Sequence, residues 1–387
     1  MKKGIFLGLL LLITLLALLL AGYIFSIKTD RPARDIEPDS VLHNQEYKDK
    51  AAQAEQWLKL LYQQNLLPSV SVAVGIRGDL IWESVIGFSD VSSGTLANQS
   101  TQYRIGSISK PITTTAIMRM QEKQLISIDD LFGALVKDYP AENSGFTIKQ
   151  LLAHQSGVRH YIDQLGENFN RKEYSSTREA ASIVENDALL FPPGEQFHYS
   201  TYGYTLVSLA MESAYSIPFE KIMYGEVFIP SGMTSTIFDK AENTSKDNMA
   251  TPYLHIGESL YRSPTANSSY KYAGGGYLST PSDLVRFANS LLNDTLLTDD
   301  SKDIMWSPVA LANGAMNSEN YALGFRVGQD DWGRYVHHGG KSVGGYSFLL
   351  IYPEQDVVIA FASNVTPSGE SFDRLQEARK MARLFIE

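Results

Sequence analysis

The sequence predicts an α/β protein of the α+β kind: an antiparallel sheet flanked by helices, a mostly helical lobe beside it, and one transmembrane helix ahead of both. Three observations carry this. Strand-like hairpins stand near both ends of the chain, amphipathic helical patterns lie outside them, and an uncharged apolar run opens the sequence.

Taken in order, residues Gly4 to Ile27 follow Met1-Lys2-Lys3, carry no charge and are dominated by Leu and Ile. As a helix this run would be roughly 36 Å long against a hydrocarbon core of about 30 Å, and it exceeds the ~7–15 apolar residues of a cleavable signal. Residues 1–27 therefore read as a single-pass membrane anchor or uncleaved signal, with the bulk of the chain exported to a periplasmic or extracellular side. Residues 28–45 are polar, with Pro32 and Pro38, and read as a linker. Residues 46–387 form the main domain.

Tyr47 to Leu66 places Trp57, Leu58, Leu60 and Leu61 among polar residues, the pattern of an amphipathic helix, and Pro68 ends it. Val70 to Ile76 and Leu80 to Gly87 are β-branched and aromatic runs around Arg77-Gly78-Asp79, a hairpin. Near the other end, Tyr346 to Tyr352 and Val357 to Ser363 flank Pro353-Glu354-Gln355-Asp356, which is turn chemistry. Phe372 to Glu387 closes the chain as a second amphipathic helix, with Leu375, Ala378, Met381, Ala382 and Phe385 on one face. Hairpins so far apart in sequence suggest one sheet assembled from both chain ends. The middle, about 107–275, is richer in helical pattern and reads as the second lobe, with a ligand pocket between the two.

Composition narrows the chemistry. The chain has 387 residues, 44% hydrophobic and 20% charged, with a net charge of -10 and no Lys/Arg block, which argues against a nucleic-acid surface. It has no cysteine, which excludes disulfides, thiolate nucleophiles and Cys-type zinc sites. No Gly-x-Ser-x-Gly elbow, His-Glu-x-x-His, P-loop or dinucleotide glycine motif occurs. His337 and His338 lack a third ligand at useful spacing, so neither a metal nor a cofactor is expected.

One stretch carries chemistry: Arg104-Ile105-Gly106-Ser107-Ile108-Ser109-Lys110-Pro111. Three residues apart on a helix, Ser107 and Lys110 lie on one face. A serine hydroxyl becomes a nucleophile when a neighbour takes its proton, and a lysine of lowered pKa does this. Pro111 is tolerated only near a helix start, which sets Ser107 at the helix mouth. Spacing alone is weak, since Ser268 to Lys271 repeats it. Two further segments follow in order, Tyr199-Ser200-Thr201 and His337-His338-Gly339-Gly340.

With these, the chain resembles the serine β-lactamase and penicillin-binding-protein superfamily, class C type. Ser107-Ile108-Ser109-Lys110 matches its first motif, Tyr199-Ser200-Thr201 its tyrosine motif and His337-His338-Gly339 its Lys/His-x-Gly motif. Leu151 to Gly157, His160-Tyr161, Pro193-Gly194, Ser269-Tyr270-Lys271 and Ala273 to Thr280 are most similar to the mitochondrial-type serine β-lactamase-like proteins and their bacterial relatives. The likeness spans roughly residues 50 to 387.

The resemblance implies a β-lactamase/transpeptidase-like fold and an acyl-enzyme. Ser107 would be acylated, Lys110 and Tyr199 would move its proton with the base left open between them, and the N–H groups of Ser107 and Gly340 would form the oxyanion hole. Thr201, His337, Gly339 and Gly340 would contact substrate, His337 helping to hold a carboxylate in a pH-dependent way. Thr201 stands where the motif usually has Asn, which makes fewer hydrogen bonds available and disfavours efficient β-lactam hydrolysis. The expected substrate is a small peptide, amide, ester or lactam. The expected activity is that of a peptidase-like serine hydrolase, with β-lactamase, D-alanyl-D-alanine carboxypeptidase or esterase as alternatives, and a non-catalytic binding protein on the same fold as a further one. His154 and Ser156 read as structural turn residues.

Overall fold

A computed structural model describes residues 28–29, 32–162, 166–240, 248–367 and 372–387. The apolar run read as an anchor lies outside these, and among the described residues no helix is long and apolar enough to cross a membrane.

The expected sheet is present. Its strands are β1 (Asp39–Leu42), β2 (Ser69–Ile76), β3 (Asp79–Asp90), β7 (Arg326–Asp330), β8 (Gly333–Ser342), β9 (Gly345–Tyr352) and β10 (Val357–Ser363). A small second sheet holds β4 (Tyr103–Arg104), β5 (Ile237–Phe238) and β6 (Tyr277–Ser279). The main order is β7-β8-β9-β10-β2-β3-β1, antiparallel throughout. The two hairpins meet where β10 pairs with β2, Ala360 opposite Ala73. The first hairpin turns through Arg77 and Gly78, both at positive φ, the conformation a two-residue turn needs to match strand twist.

Every residue of β2, β9 and β10 is buried, so the sheet must be covered on both faces. On one face, α1 (Lys48–Gln64) and α5 (Arg374–Ile386) bring Leu58, Leu61, Met381 and Phe385 against Val70, Val72, Val74 and Phe361. The opposite face meets α4 (Pro281–Leu292), whose Leu284, Val285, Ala288 and Leu291 share a core with Ala73, Val358 and Ala360. The helices α1 and α5 and the strands β2, β3, β9 and β10 match the sequence reading to within a few residues at each end.

One expectation changes. The stretch read as a linker is not a free tether: Asp39–Leu42 pairs with β3, and Arg34 Nη1 donates to the carbonyls of Tyr62 and Asn65 at 2.7 and 2.9 Å. His337 and His338 lie inside strand β8 together with Gly339 and Gly340. The helical lobe contains α2 (Ser109–Glu122) and α3 (Thr201–Tyr215) with several shorter helices. In the small sheet, β6 lies beside β4 and receives the Ile105 amide at the Tyr277 carbonyl, 3.2 Å away, which sets the turn before Ser107 next to the Ala273–Gly276 segment.

Candidate active site

Ser107 sits in a 3-10 turn, Gly106–Ile108, that runs directly into α2. Gly106 has φ +51°, and a Cβ there would meet the Lys341 amide nitrogen and carbonyl oxygen at 2.8 Å each. Only glycine lets the turn that holds Ser107 lie this close to the β8 backbone. Ser347 Oγ ties the same turn down by donating to the Ile105 carbonyl at 2.7 Å.

Lys110 is fully buried one turn later, its Nζ 3.1 Å from Ser107 Oγ, 3.1 Å from Thr201 Oγ1 and 2.6 Å from the Gly274 carbonyl. The rings of Tyr199 and Tyr204 stand 4.7 and 5.4 Å from it. Among the described residues no carboxylate pairs with it. Burial, then the positive charges of Arg326 and Lys271, hold its pKa well below the usual lysine value. A neutral amine has two N–H donors and one lone pair, and three partners surround this one: Thr201 Oγ1 and the Gly274 carbonyl accept, which leaves the lone pair for the Ser107 hydroxyl.

Tyr199 completes the group through a hydrogen bond with Ser107. Its phenol is pushed up to about 12 by burial, against the lowering effect of that bond and of Arg326 and Arg374. It is therefore a proton donor at neutral pH. Two neutral histidines hold its segment. His154 Nδ1 accepts from the Ser200 amide and His160 Nδ1 from the Thr201 amide, both at 3.1 Å. Ser200 Oγ caps α3 by accepting from the Gly203 amide. Burial keeps both imidazoles below the ordinary histidine range, so each can accept. His154 is structural, as expected, and Ser156 Oγ accepts from Val158 in the adjacent turn.

The third motif is arranged differently from the sequence reading. His337 stacks on Phe348 beside Arg326, Arg374 and Ser107 in a shallow depression. Burial, then the two arginines, push its pKa down to about 3, so it is not the cation a substrate carboxylate requires at neutral pH. His338 is buried, its Nε2 3.0 Å from Tyr321 Oη. Gly339 lies against the Arg374 guanidinium, 3.0 Å from where a Cβ would stand. Arg374 Nη1 donates to the carbonyls of Gly340 and Ser347, 2.8 and 3.2 Å away, and those residues are paired across β8 and β9. The Gly340 peptide thus faces β9. Because alternate residues of a strand face opposite ways, the amide turned to the nucleophile is that of Lys341.

A cleft of about 420 Å³ opens over these groups, lined among others by Ser107, Tyr199, Thr201, Lys271 and Lys341. Lys341, Arg326 and Arg374 had no signal in the sequence beyond adjacency to a motif, and Lys271 stood in the family-like segment Ser269-Tyr270-Lys271 without a role. Among the described residues no cluster of His, Asp and Glu is suited to a metal. A second cleft of about 470 Å³ lies elsewhere, lined among others by Glu173, Glu212, Glu220 and Lys240.

Comparison with known proteins agrees with this geometry. The sequence model of the β-lactamase family matches residues 54–383. The human mitochondrial serine β-lactamase-like protein LACTB is 25% identical over 393 aligned residues, covering 78% of this chain and 72% of that protein. Penicillin-binding protein 4* of Bacillus subtilis (strain 168) is 25% identical over 301, covering 74% and 66%. Among solved structures, the octameric penicillin-binding protein homologue from Pyrococcus abyssi superposes with a TM-score of 0.73 at 22% identity, covering 86% of this chain and 77% of that one. With the family match extending over both lobes and every motif of the site, the chain belongs to the β-lactamase family of serine hydrolases.

Proposed function

We propose that the protein hydrolyses a small peptide, amide or ester through an acyl-enzyme on Ser107. The observation that carries this is the buried Lys110 amine at 3.1 Å from Ser107 Oγ, held well below the usual lysine range by burial and by Arg326 and Lys271. Ser107 Oγ attacks the substrate carbonyl carbon while its proton passes to the Lys110 lone pair. The oxyanion forms against the N–H groups of Ser107 and Lys341. Tyr199 gives its hydroxyl proton to the leaving nitrogen or oxygen as the acyl–leaving-group bond breaks, and Lys110 returns a proton to the phenolate. Water then attacks the ester carbonyl, the Ser107 Oγ–acyl bond breaks, and Oγ regains a proton. Thr201 holds Lys110 in line. Its short hydroxyl is committed to that contact, which favours peptide or amide turnover over β-lactam hydrolysis.

The relatives support this reading at the level of chemistry, being a β-lactamase-like protein and a penicillin-binding protein by name. The test is an acylating probe. A fluorophosphonate should label the protein stoichiometrically and fail on Ser107→Ala; equal labelling of both would sink the assignment. The uncharged run 4–27 supports a membrane anchor with the domain, from about residue 28, on the exported side. Protease added to intact cells should then degrade the domain, and full protection would refute that orientation.

A further inference from the structure

The second Ser-x-x-Lys, Ser268 to Lys271, has no part in the proton transfers above, yet it stands at the same cleft. Its lysine ends a 3-10 helix, Ser269–Lys271, and is 5% exposed while lining the cleft beside Ser107 and Thr201. A Cβ built on Gly275 would lie 3.8 Å from both Lys271 Cδ and the Gly106 carbonyl carbon, so one small residue separates this side chain from the nucleophile turn.

Lys271 is not a second base. Ser268 Oγ donates to Asp239 Oδ2 at 2.6 Å, away from it, and Ser268 is only 1% exposed. The nearby carboxylate is also taken, because Asp239 is bound by Arg104 Nε at 2.8 Å. Among the described residues the Lys271 ammonium has no ion pair or hydrogen bond, and the contact it does make is with the Tyr270 ring, 5.3 Å from Nζ. Burial, then Arg104, push its amine down to about 8 against the pull of Asp239, so it still carries charge at neutral pH. A buried, unpaired ammonium facing a cleft calls for an anion from outside. The cleft agrees. Among the described residues its walls carry Lys271 and Lys341 and no Asp or Glu, in a chain whose net charge is -10. Such a local reversal of sign concentrates anionic substrates.

We propose that Lys271 is a specificity-determining residue that binds a carboxylate of the substrate, so that the enzyme prefers acidic acyl compounds to their neutral isosteres. This rests on the acyl-enzyme reading. Because the substrate is a peptide, amide or ester, its natural anionic group is a carboxylate, on the acyl part or on the leaving group.

The test compares carboxylate and carboxamide pairs in both positions: 4-nitrophenyl hydrogen glutarate against 4-nitrophenyl glutaramate, and phenyl butyrates bearing a 3-carboxylate or a 3-carboxamide. Wild-type protein should prefer the acid in at least one pair, by roughly 10- to 100-fold in kcat/KM, the range of a charge-assisted hydrogen bond. Lys271→Met should bring that ratio close to one and Lys271→Arg should keep part of it. The ratio cancels any effect on the shared catalytic groups. A ratio below about threefold in both pairs, or one unchanged in Lys271→Met, overturns the proposal. Should the variant fail to fold, inhibition of wild-type protein by glutarate and by glutaramide decides instead, and equal potency overturns it. Fluorophosphonate labelling separates the two levels: a labelled protein without acid preference refutes only the role of Lys271, whereas loss of labelling and turnover in wild-type protein refutes the hydrolase reading and this inference together.

Discussion

Gly340→Ala tests whether the glycine of the third motif works by contributing an amide or by making room. A Cβ at Gly340 would lie 1.9 Å from the Ile105 carbonyl oxygen and 2.3 Å from Ser347 Oγ. Ordinary contact begins near 3.4 Å, so the two backbones must separate by roughly 1.5 Å. The displaced group is the carbonyl that Ser347 holds at 2.7 Å, two residues before the nucleophile. Overpacking of this kind costs about 1–3 kcal/mol. Moving Ser107 by about 1 Å from the Lys341 amide costs on the order of 10²-fold in rate. The expected result is a drop of about 10²-fold or more in kcat/KM for a chromogenic ester, a slower fluorophosphonate reaction and a lowered Tm. Normal turnover and a normal Tm in Gly340→Ala would refute the steric account of this contact.

Other outcomes follow from the same geometry. Lys110→Met should lower kcat by roughly 10²- to 10⁴-fold, the usual contribution of a positioned base, and an unchanged kcat would move the base elsewhere. Because Lys110 must be neutral to act, activity should be lost as pH falls through its depressed pKa; Tyr199→Phe should lower kcat yet leave this acid limb in place, and a limb that moved with Tyr199 would make the phenol the base. Lys271 binds fewer protons folded than unfolded between pH 8 and 10.5, so its charge costs stability below pH 8 and that cost disappears as pH rises to 10.5. Lys271→Met should therefore be more stable than wild type at pH 7, on the order of 3 kcal/mol by denaturant unfolding, with the difference vanishing near pH 10.5. Asp239→Ala strands Arg104, 4% exposed beside the nucleophile turn, and should cost about 3–5 kcal/mol; an unchanged denaturation midpoint would show the pair is dispensable.

What the sequence revealed and what it hid divide along a physical line. Apolar β-branched runs bounded by turn residues, and helical periodicity, are written locally, so the hairpins around Arg77-Gly78 and Pro353–Gln355 and the outer helices were legible. The strand holding His337 was not, because Gly339 and Gly340 have no β propensity and are there to fit Ile105 and Arg374. Edge strand β7 is short and polar, and its contribution to the site, Arg326, is placed by pairing with His337 rather than by any local pattern. The polarity of a strand is also not local. Which of Gly340 and Lys341 offers its amide to Ser107 depends on the register with β9.

The two Ser-x-x-Lys copies show why spacing identifies a geometry and not a role. Each lysine is buried and each is held below the ordinary lysine range, but only Lys271 lines the cleft, while Lys110 is sealed behind Ser107 and Thr201. They differ in what stands beside the serine. Ser107 is reached by an amine and a phenol and opens to the cleft, while Ser268 is sealed and spends its proton on Asp239. The same carboxylate neutralises Arg104 behind the nucleophile turn, which leaves Lys271 as an uncompensated charge in the cleft. Raising the cost of protonating Lys110 is one consequence of that charge. A substrate carboxylate bound at Lys271 would cancel it, and Lys110 would then regain basicity as the acidic substrate docks. Recognition and activation of the nucleophile are thus coupled through one buried ammonium, and Lys271→Met should shift the acid limb of the activity profile for neutral esters to higher pH; no shift would show that the two lysines act independently.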